Sequence, residues 1–247
     1  MHTDHLFNSV KRIGTGLAFV LFPLVFVFAF SVHPGLLHPH FLGPSELIAR
    51  AHGASLLQFA HALVTLVTAL LVVVALHFMK LLERGRGAWA GFIGGALAVL
   101  GSLALAADKG ALCLTMSALD GLSESEFSGM RPGLLAIFSM RGWMVLVWGI
   151  VLLSIGFGIQ AVALIATKAI ARWQSVLFLV GVLLIGVPDG VEIVNLTAAV
   201  LLSIAFVPYG LRLIRGEPGH LSDLFGTPLV HERDEHDEAS RGHPQPG

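Results

Sequence analysis

The chain has 247 residues, of which 55% are hydrophobic and 13% are charged, and its mean hydropathy is +0.81. Soluble domains carry roughly 25% charged residues, because their helices need a charged outer face, so this composition argues against a water-soluble domain. The net charge of −1 gives no electrostatic sign of a nucleic-acid partner, and the single cysteine, Cys113, excludes an internal disulfide. The expected partner is the lipid bilayer.

Six apolar segments predict an all-α, polytopic membrane helical bundle with six transmembrane helices. The segments are continuous and lack the alternation of a transmembrane barrel. A span needs about 20 residues, and only the fifth segment is short. The first segment is longer than the apolar region of a secretory signal and no cleavage pattern follows it, so we interpret it as a retained span. The six segments cover about residues 13–32, 53–79, 88–107, 142–166, 170–187 and 191–211.

Lysine and arginine residues in the connections predict that both chain ends are cytoplasmic. Cytoplasmic loops carry the excess of these residues, and the bias fits an even number of spans in a bacterial inner membrane. Residues 216–247 are rich in Gly, Pro, His and acids and predict a disordered cytoplasmic tail. The inner connections hold Lys11, Arg12, Lys80, Arg84, Arg86, Lys168, Arg172, Arg212 and Arg215, and the outer ones hold Arg50, Lys109, Arg131 and Arg141.

The second segment carries one polar stripe in an otherwise apolar run. Its members recur at steps of three and four residues, which places them along one side of a helix. An unpaired polar group in hydrocarbon costs several kcal/mol, so we expect this side to face the interior of the bundle. The stripe consists of Ser55, Gln58, His61, Thr65 and Thr68.

The two longer outer connections cover residues 33–51 and 108–141. An apolar run after Asp108 predicts that the third membrane helix continues towards Leu119. The Ser-, Glu- and Gly-rich residues 120–129 predict a loop. Pro132 suits the first turn of a new helix that leads into the fourth span.

Ionisable residues inside a membrane are functional candidates by default. His61 is expected about 12 Å below the outer boundary at 1.5 Å per residue. Asp189, Glu192 and Asn195 recur at steps of three on the sixth helix, and a short fifth span would lower them towards His61. These residues predict an outward-facing polar vestibule, a binding site lined by His61, Asp108, Arg141, Asp189, Glu192 and Asn195.

Each vestibule residue also has a structural interpretation. Asp189 and Glu192 stand at a helix N-terminus, where the backbone dipole stabilises acids. His61 could bond to a neighbouring carbonyl group. Arg141 together with Trp143 is typical of an anchor at the membrane interface.

Metal and cofactor sites have weaker support. His33, His38, His40 and His52 are weak candidates for binding zinc or copper, but a loop does not guarantee that ligands converge. His61 and His77 point about 160° apart on one helix and have no second transmembrane histidine to complete a haem site. No nucleotide, serine-hydrolase or zinc-protease motif is present. We predict neither a metal nor a cofactor.

The stretch from Arg131 to Gly216 contains a series of short motifs. They are Gly133-Leu-Leu, Arg141-Gly-Trp143, Gly156 and Gly158, Ala171-Arg-Trp-Gln-Ser175, and Gly210-Leu-Arg-Leu-Ile-Arg-Gly216. In the order of these features the stretch resembles a large family of six-span bacterial membrane proteins, a domain-of-unknown-function group. The resemblance supports the six-span fold and implies no known activity. The first half of the chain is similar to that family only in layout.

Three functions are compatible with this sequence. The first is the binding or transport of a small molecule or ion through the vestibule. The second is a membrane enzyme acting on a lipid or isoprenoid, which needs a side opening and His61 within hydrogen-bond reach of a carboxylate. The third is a scaffold or assembly subunit that binds another membrane protein, or a second copy of itself, through a lipid-facing patch of small residues.

Overall fold

The computed structural model describes residues 2–36, 43–139, 141–185 and 191–217, with the side chains of 2–4 and 137–148 left out. The predicted tail therefore lies, from residue 218 on, outside the described residues. Eight α-helices and no strands occupy the described ranges. The helices are α1 His2–Ser31, α2 Pro44–Ala51, α3 Ser55–Leu82, α4 Ala88–Leu119, α5 Glu124–Ser139, α6 Arg141–Thr167, α7 Arg172–Ile185 and α8 Glu192–Arg215.

Five helical segments in the described part of the chain are long and apolar enough to cross a membrane. The chain is accordingly a multi-pass membrane protein. Helix α7 corresponds to the short fifth apolar segment and has only 14 residues. The five segments are His5–Ser31, Ser55–Leu82, Gly85–Leu119, Gly149–Thr167 and Glu192–Arg215.

Six of the helices form a closed ring. Each of α1, α3, α4, α6, α7 and α8 packs against the next, and α8 returns to α1; the contact between α6 and α7 is the least extensive. Arg12 Nη1 donates hydrogen bonds of 2.8 Å to the carbonyl oxygens of Leu213 and Ile214, so the N-terminal half of α1 meets the C-terminal end of α8. We call this the basic end, defined by Arg12, Arg84, Arg86, Lys168, Arg172 and Arg212.

Glycines allow two helix pairs to approach closely. A Cβ atom on Gly94 of α4 would lie 2.7 Å from the carbonyl oxygen of Gly156 on α6. A Cβ on Gly16 of α1 would lie 2.7 Å from the carbonyl oxygen of Gly210 on α8. Real Cβ atoms essentially never come this close to another atom, so both contacts require glycine. Small residues permit the same close backbone approach between membrane helices in general.

Aromatic side chains from five helices fill the middle of the ring. The ring centroids of Phe178 and Phe206 are 4.8 Å apart, and Phe19 lies 5.3 Å from Phe206. The cavity left between these side chains is about 20 Å³, close to the space of one water. The centre of the bundle is therefore closed by an apolar layer. We call it the phenylalanine core: Phe19, Phe22, Phe26, Phe78, Phe157, Phe178 and Phe206.

Helices α2 and α5 pack together beside the far end of α4, away from the basic end. Helix α4 runs to Leu119, which confirms that it continues past Asp108. The predicted loop is wrong for residues 124–129, because α5 begins at Glu124. The placement of Pro132 in the first turn of a helix is wrong for the same reason, since it lies inside α5. The packed apolar residues are Ile48, Met116, Leu119, Phe127 and Leu134.

A capping box explains the early start of α5. The Ser123 N–H donates to Glu126 Oε2 at 2.9 Å, and the Glu126 N–H donates to Ser123 Oγ at 3.4 Å. This reciprocal arrangement satisfies two backbone donors of the first helical turn. A composition-based interpretation counts Ser and Glu as loop residues and misses it.

Gly156→Ala is expected to destabilise the protein, because the new methyl group would overlap the backbone of Gly94 and Ala98. Overpacking of this kind typically costs about 1–3 kcal/mol. Gly158→Ala is the control, since a Cβ there meets nothing within 4 Å. Thermal unfolding in detergent should give a lower midpoint for G156A and an unchanged or higher midpoint for G158A. Equal midpoints would contradict the close packing of α4 and α6.

Hydrogen bonds from the Ser123 hydroxyl and then the Ser123 backbone N–H lower the pKa of Glu126 from its ordinary value of 4.5. A depressed folded-state pKa gives stability that is present above the unfolded pKa and lost as pH falls through the folded value. The first turn of α5 should therefore lose amide protection, measured against the intrinsic exchange rate at each pH, as the pH falls below about 4.5. In an NMR titration, Ser123→Ala should raise the pKa of Glu126 towards 4.5, and Ser128→Ala should leave it unchanged.

Candidate functional site

Glu192 is the first residue of α8 and is only 2% exposed, at the end of the ring opposite the basic end. His33, just after α1, places its Nδ1 atom 3.5 Å from Glu192 Oε1. Asn195, also buried, donates from Nδ2 to Glu192 Oε2 at 3.4 Å. Because α1 and α8 are antiparallel and in close contact, the last residues of one meet the first residues of the other. The result is a buried carboxylate faced by an imidazole and an amide.

The register of α3 and α8 places His61 at the same depth. These helices run in the same direction, and His77 Nε2 lies 2.8 Å from the Tyr209 hydroxyl. His61 is sixteen residues before His77 on α3, and Ile193 is sixteen residues before Tyr209 on α8. Ile193 stands between Glu192 and Asn195 in the sequence. At a common rise of 1.5 Å per residue, His61 is level with the two polar residues of α8.

Asp108 is buried in α4 but is paired within its own helix. Its Oδ2 atom lies 3.1 Å from Lys109 Nζ. A Cβ on the nearby Gly110 would lie 3.6 Å from Thr65 Cγ2, which sets the register of α4 against α3. Asp108 is therefore roughly 9 Å deeper than His61. The Lys109 ammonium compensates the charge of this acid.

The structure describes four of the six residues predicted to line the vestibule. Glu192 and Asn195 are in contact, His61 shares their depth, and Asp108 lies deeper beside Lys109. Arg141 is the first residue of α6, but its side chain lies outside the described part of the chain, as does all of Asp189.

The polar stripe of α3 is partly confirmed. Gln58 and Thr68 are buried as predicted, whereas Ser55 is exposed at the start of the helix. The stripe bonds to nearby backbone: Gln58 Nε2 donates to the carbonyl of Ala51 and Thr65 Oγ1 to that of His61.

The histidines considered as metal ligands have separate partners. His33 faces Glu192, whereas His52 stacks on Phe127 with ring centroids 3.8 Å apart and places Nδ1 3.6 Å from Glu124 Oε2. His38 and His40 lie outside the described residues. Within the residues that the structure does describe, no group of three or more His, Cys, Asp or Glu could hold a metal ion.

Two buried glutamines were missed by the sequence analysis. Gln160 on α6 donates from Nε2 to the carbonyls of Ala75 at 3.0 Å and Gly91 at 3.3 Å, and so joins three segments. Gln174 on α7 donates to the carbonyl of Ala205 at 2.8 Å and accepts from Arg212 Nη2 at 3.0 Å. A lone polar residue inside an apolar segment was the available signal, but neither glutamine belongs to a periodic polar stripe like that of the second segment.

A lateral groove lies where α6 and α7 separate on the outer surface of the ring. Its volume is about 860 Å³, within the roughly 300–1,000 Å³ of ligand pockets. It opens near Arg86 at the basic end and extends along α6 from Thr167 to Ser154, with Leu179 and Leu183 of α7 opposite. We call it the α6–α7 groove.

Comparison with known protein families, curated proteins and solved structures finds no match for this chain. The resemblance of residues 131–216 to the six-span family therefore stays a prediction.

Proposed function

We propose that this multi-pass membrane protein binds a small cation at the polar groups around Glu192 and transports it. The observation that carries the proposal is the 2% exposure of Glu192, whose contacts are an imidazole and an amide. Burying a carboxylate costs several kcal/mol unless it is compensated. A carboxylate that served only to cap α8 could do so at the surface without this cost. Ionisable groups at such positions mark ion pathways in membrane proteins.

The local charge balance favours a cation over an anion. Lys109 compensates Asp108, whereas no Lys or Arg of the described side chains forms an ion pair with Glu192. His33 compensates Glu192 only when the imidazole is protonated. A proton, Na⁺ or K⁺ is of the charge that this carboxylate attracts, and carboxylate and amide oxygens are ligands that hard cations prefer.

The phenylalanine core supports transport rather than binding alone. Polar groups lie on both sides of it: Glu192 and Asn195 towards one end, and His77, Tyr209 and Gln174 towards the basic end. Hydrophobic constrictions of this kind gate ion passage in channels by excluding water. In the arrangement described, the core separates the two polar layers.

The position of the α6–α7 groove helps to weigh the two alternatives, a lipid-modifying enzyme and a scaffold. A lipid-modifying enzyme would need a side opening beside His61, but this groove opens at the other end of the ring. A scaffold would need an outward patch of small residues, and the groove is a surface that contains such residues.

We further infer a six-span topology in a bacterial inner membrane with both chain ends cytoplasmic. Support comes from α7, which packs antiparallel to α8 with Gln174 beside Ala205 and Gly181 beside Ala198. Its 14 residues extend about 21 Å, so the flanking connections would complete the crossing. The basic end would face the cytoplasm, in accordance with the positive-inside rule.

Single cysteines test this topology in a Cys113→Ser background. His5→Cys and Glu217→Cys should react with a membrane-impermeant maleimide from the same side of the membrane, because six crossings return the chain to its starting side. Ser45→Cys should react only from the opposite side. Labelling of positions 5 and 217 from opposite sides would show that α7 does not cross.

Glu192→Gln should abolish most cation movement without unfolding the protein. The measurement is dye-reported flux into proteoliposomes under separately imposed H⁺, Na⁺ and K⁺ gradients. A hydrogen bond to a charged group contributes about 1.5–3 kcal/mol, so we expect at least about a tenfold loss of flux. Glu46→Gln is the control, since the Glu46 side chain is 50% exposed. Wild-type protein that moves none of the three ions, or an E192Q variant as active as wild type, would refute the proposal.

A further inference from the structure

The α6–α7 groove is a second site, distinct from the one around Glu192. It is mainly apolar, and its floor on α6 follows one helix face through Ser154, Gly158, Val162 and Ala166. Arg86, which is exposed and belongs to the turn before α4, lines the groove at the basic end. An apolar groove with a cation at one end matches an amphiphile, which has an apolar chain and a polar headgroup.

We propose that this groove binds an anionic glycerophospholipid, with an acyl chain along α6 and the phosphate at Arg86. The inference goes beyond the proposed cation site and does not depend on it. An Arg guanidinium binds phosphate oxygens through charge-assisted hydrogen bonds. Basic pockets between membrane helices on the cytoplasmic side bind anionic headgroups.

The length of the groove matches one leaflet of a bilayer. From Thr167 to Ser154 it follows α6 for about 20 Å. Half of a hydrocarbon core of about 30 Å is about 15 Å, and the headgroup region accounts for the rest. A transmembrane helix of a partner protein would need a contact surface through the full thickness. A lipid of one leaflet therefore fits the groove better than a helix does.

Charge also favours a lipid over a second copy of this chain. Arg86 shares the basic end of the ring with other cations, among them Arg84, Lys168 and Arg172. Two copies inserted in the same orientation about a two-fold axis would bring these cations together at one depth, and like charges repel. An anionic headgroup compensates them.

Gly158 gives a reason why the groove exists. A Cβ at this position would meet nothing within 4 Å, in contrast to Gly156 two residues earlier, which packs against α4. A glycine inside a helix is unfavourable relative to alanine, and no protein contact in the described structure requires this one. An acyl chain lying directly against the backbone does require it.

Native mass spectrometry of the full chain tests the proposal, with dioleoyl-phosphatidylglycerol and dioleoyl-phosphatidylcholine as separate probes. Wild-type protein should retain one phosphatidylglycerol more strongly than phosphatidylcholine. Arg86→Gln should weaken phosphatidylglycerol binding about fivefold, the effect of one surface cation on an anionic lipid. Arg84→Gln is the matched control, because Arg84 is also exposed but does not line the groove; it should weaken binding less than Arg86→Gln.

Gly158→Leu separates lipid binding from folding. The leucine side chain would start from a Cβ that meets nothing within 4 Å and would extend into the groove that Gly158 lines, so the thermal midpoint should not fall while phosphatidylglycerol retention is lost. Gly14→Leu on α1 is the control, since a Cβ there also meets nothing within 4 Å. Full retention of phosphatidylglycerol by G158L or R86Q would overturn the proposal. So would equal retention of both lipids by wild type, or a dimer that G158L converts to monomer.

Discussion

Hydrocarbon offers no hydrogen-bond partners, so polar groups inside this bundle must find them within the chain. Gln160 meets the requirement by joining α6 to two backbone carbonyls on other segments, and Ser102 by bonding to the carbonyl of Ala98 one turn earlier. These partners are fixed backbone atoms that cannot change charge. Glu192 differs, since its described partners are the imidazole of His33 and the amide of Asn195. The contacts of Gln160 and Ser102 therefore hold the bundle together, whereas those of Glu192 can respond to a ligand.

One helix contact generates both polar ends of the ring. The close approach of Gly16 and Gly210 brings α1 and α8 together along their length. At the basic end it lets Arg12 bond to the last carbonyls of α8, where a cation is favoured by the helix dipole. At the other end it brings His33 to Glu192. Because the first and last membrane helices are joined in this way, the site around Glu192 forms only when the ring is closed.

Features that depend only on residues close together in the sequence could be predicted. The apolar segments, the extension of α4 beyond Asp108 and the shared helix face of Glu192 and Asn195 follow from local periodicity. The contacts of His33 with Glu192 and of His77 with Tyr209 could not be predicted, because they depend on which helices are neighbours in the ring. The start of α5 was missed for a different reason: the Ser123 and Glu126 capping box was present, but composition outweighed spacing.

The α6–α7 contact links the two proposed sites. Under the proposed transport function, opening a path through the phenylalanine core would require ring helices to separate, and among the described residues this contact is the least extensive in the ring. Phe157 of α6 and Phe178 of α7 meet in the core at 5.6 Å, on the inner side of the same helix pair that forms the groove. An acyl chain bound in the α6–α7 groove would therefore contact the same two helices whose side chains close the phenylalanine core. Lipid occupancy and cation passage would then be coupled through α6 and α7, since a bound lipid shifts the equilibrium towards the arrangement that it contacts better.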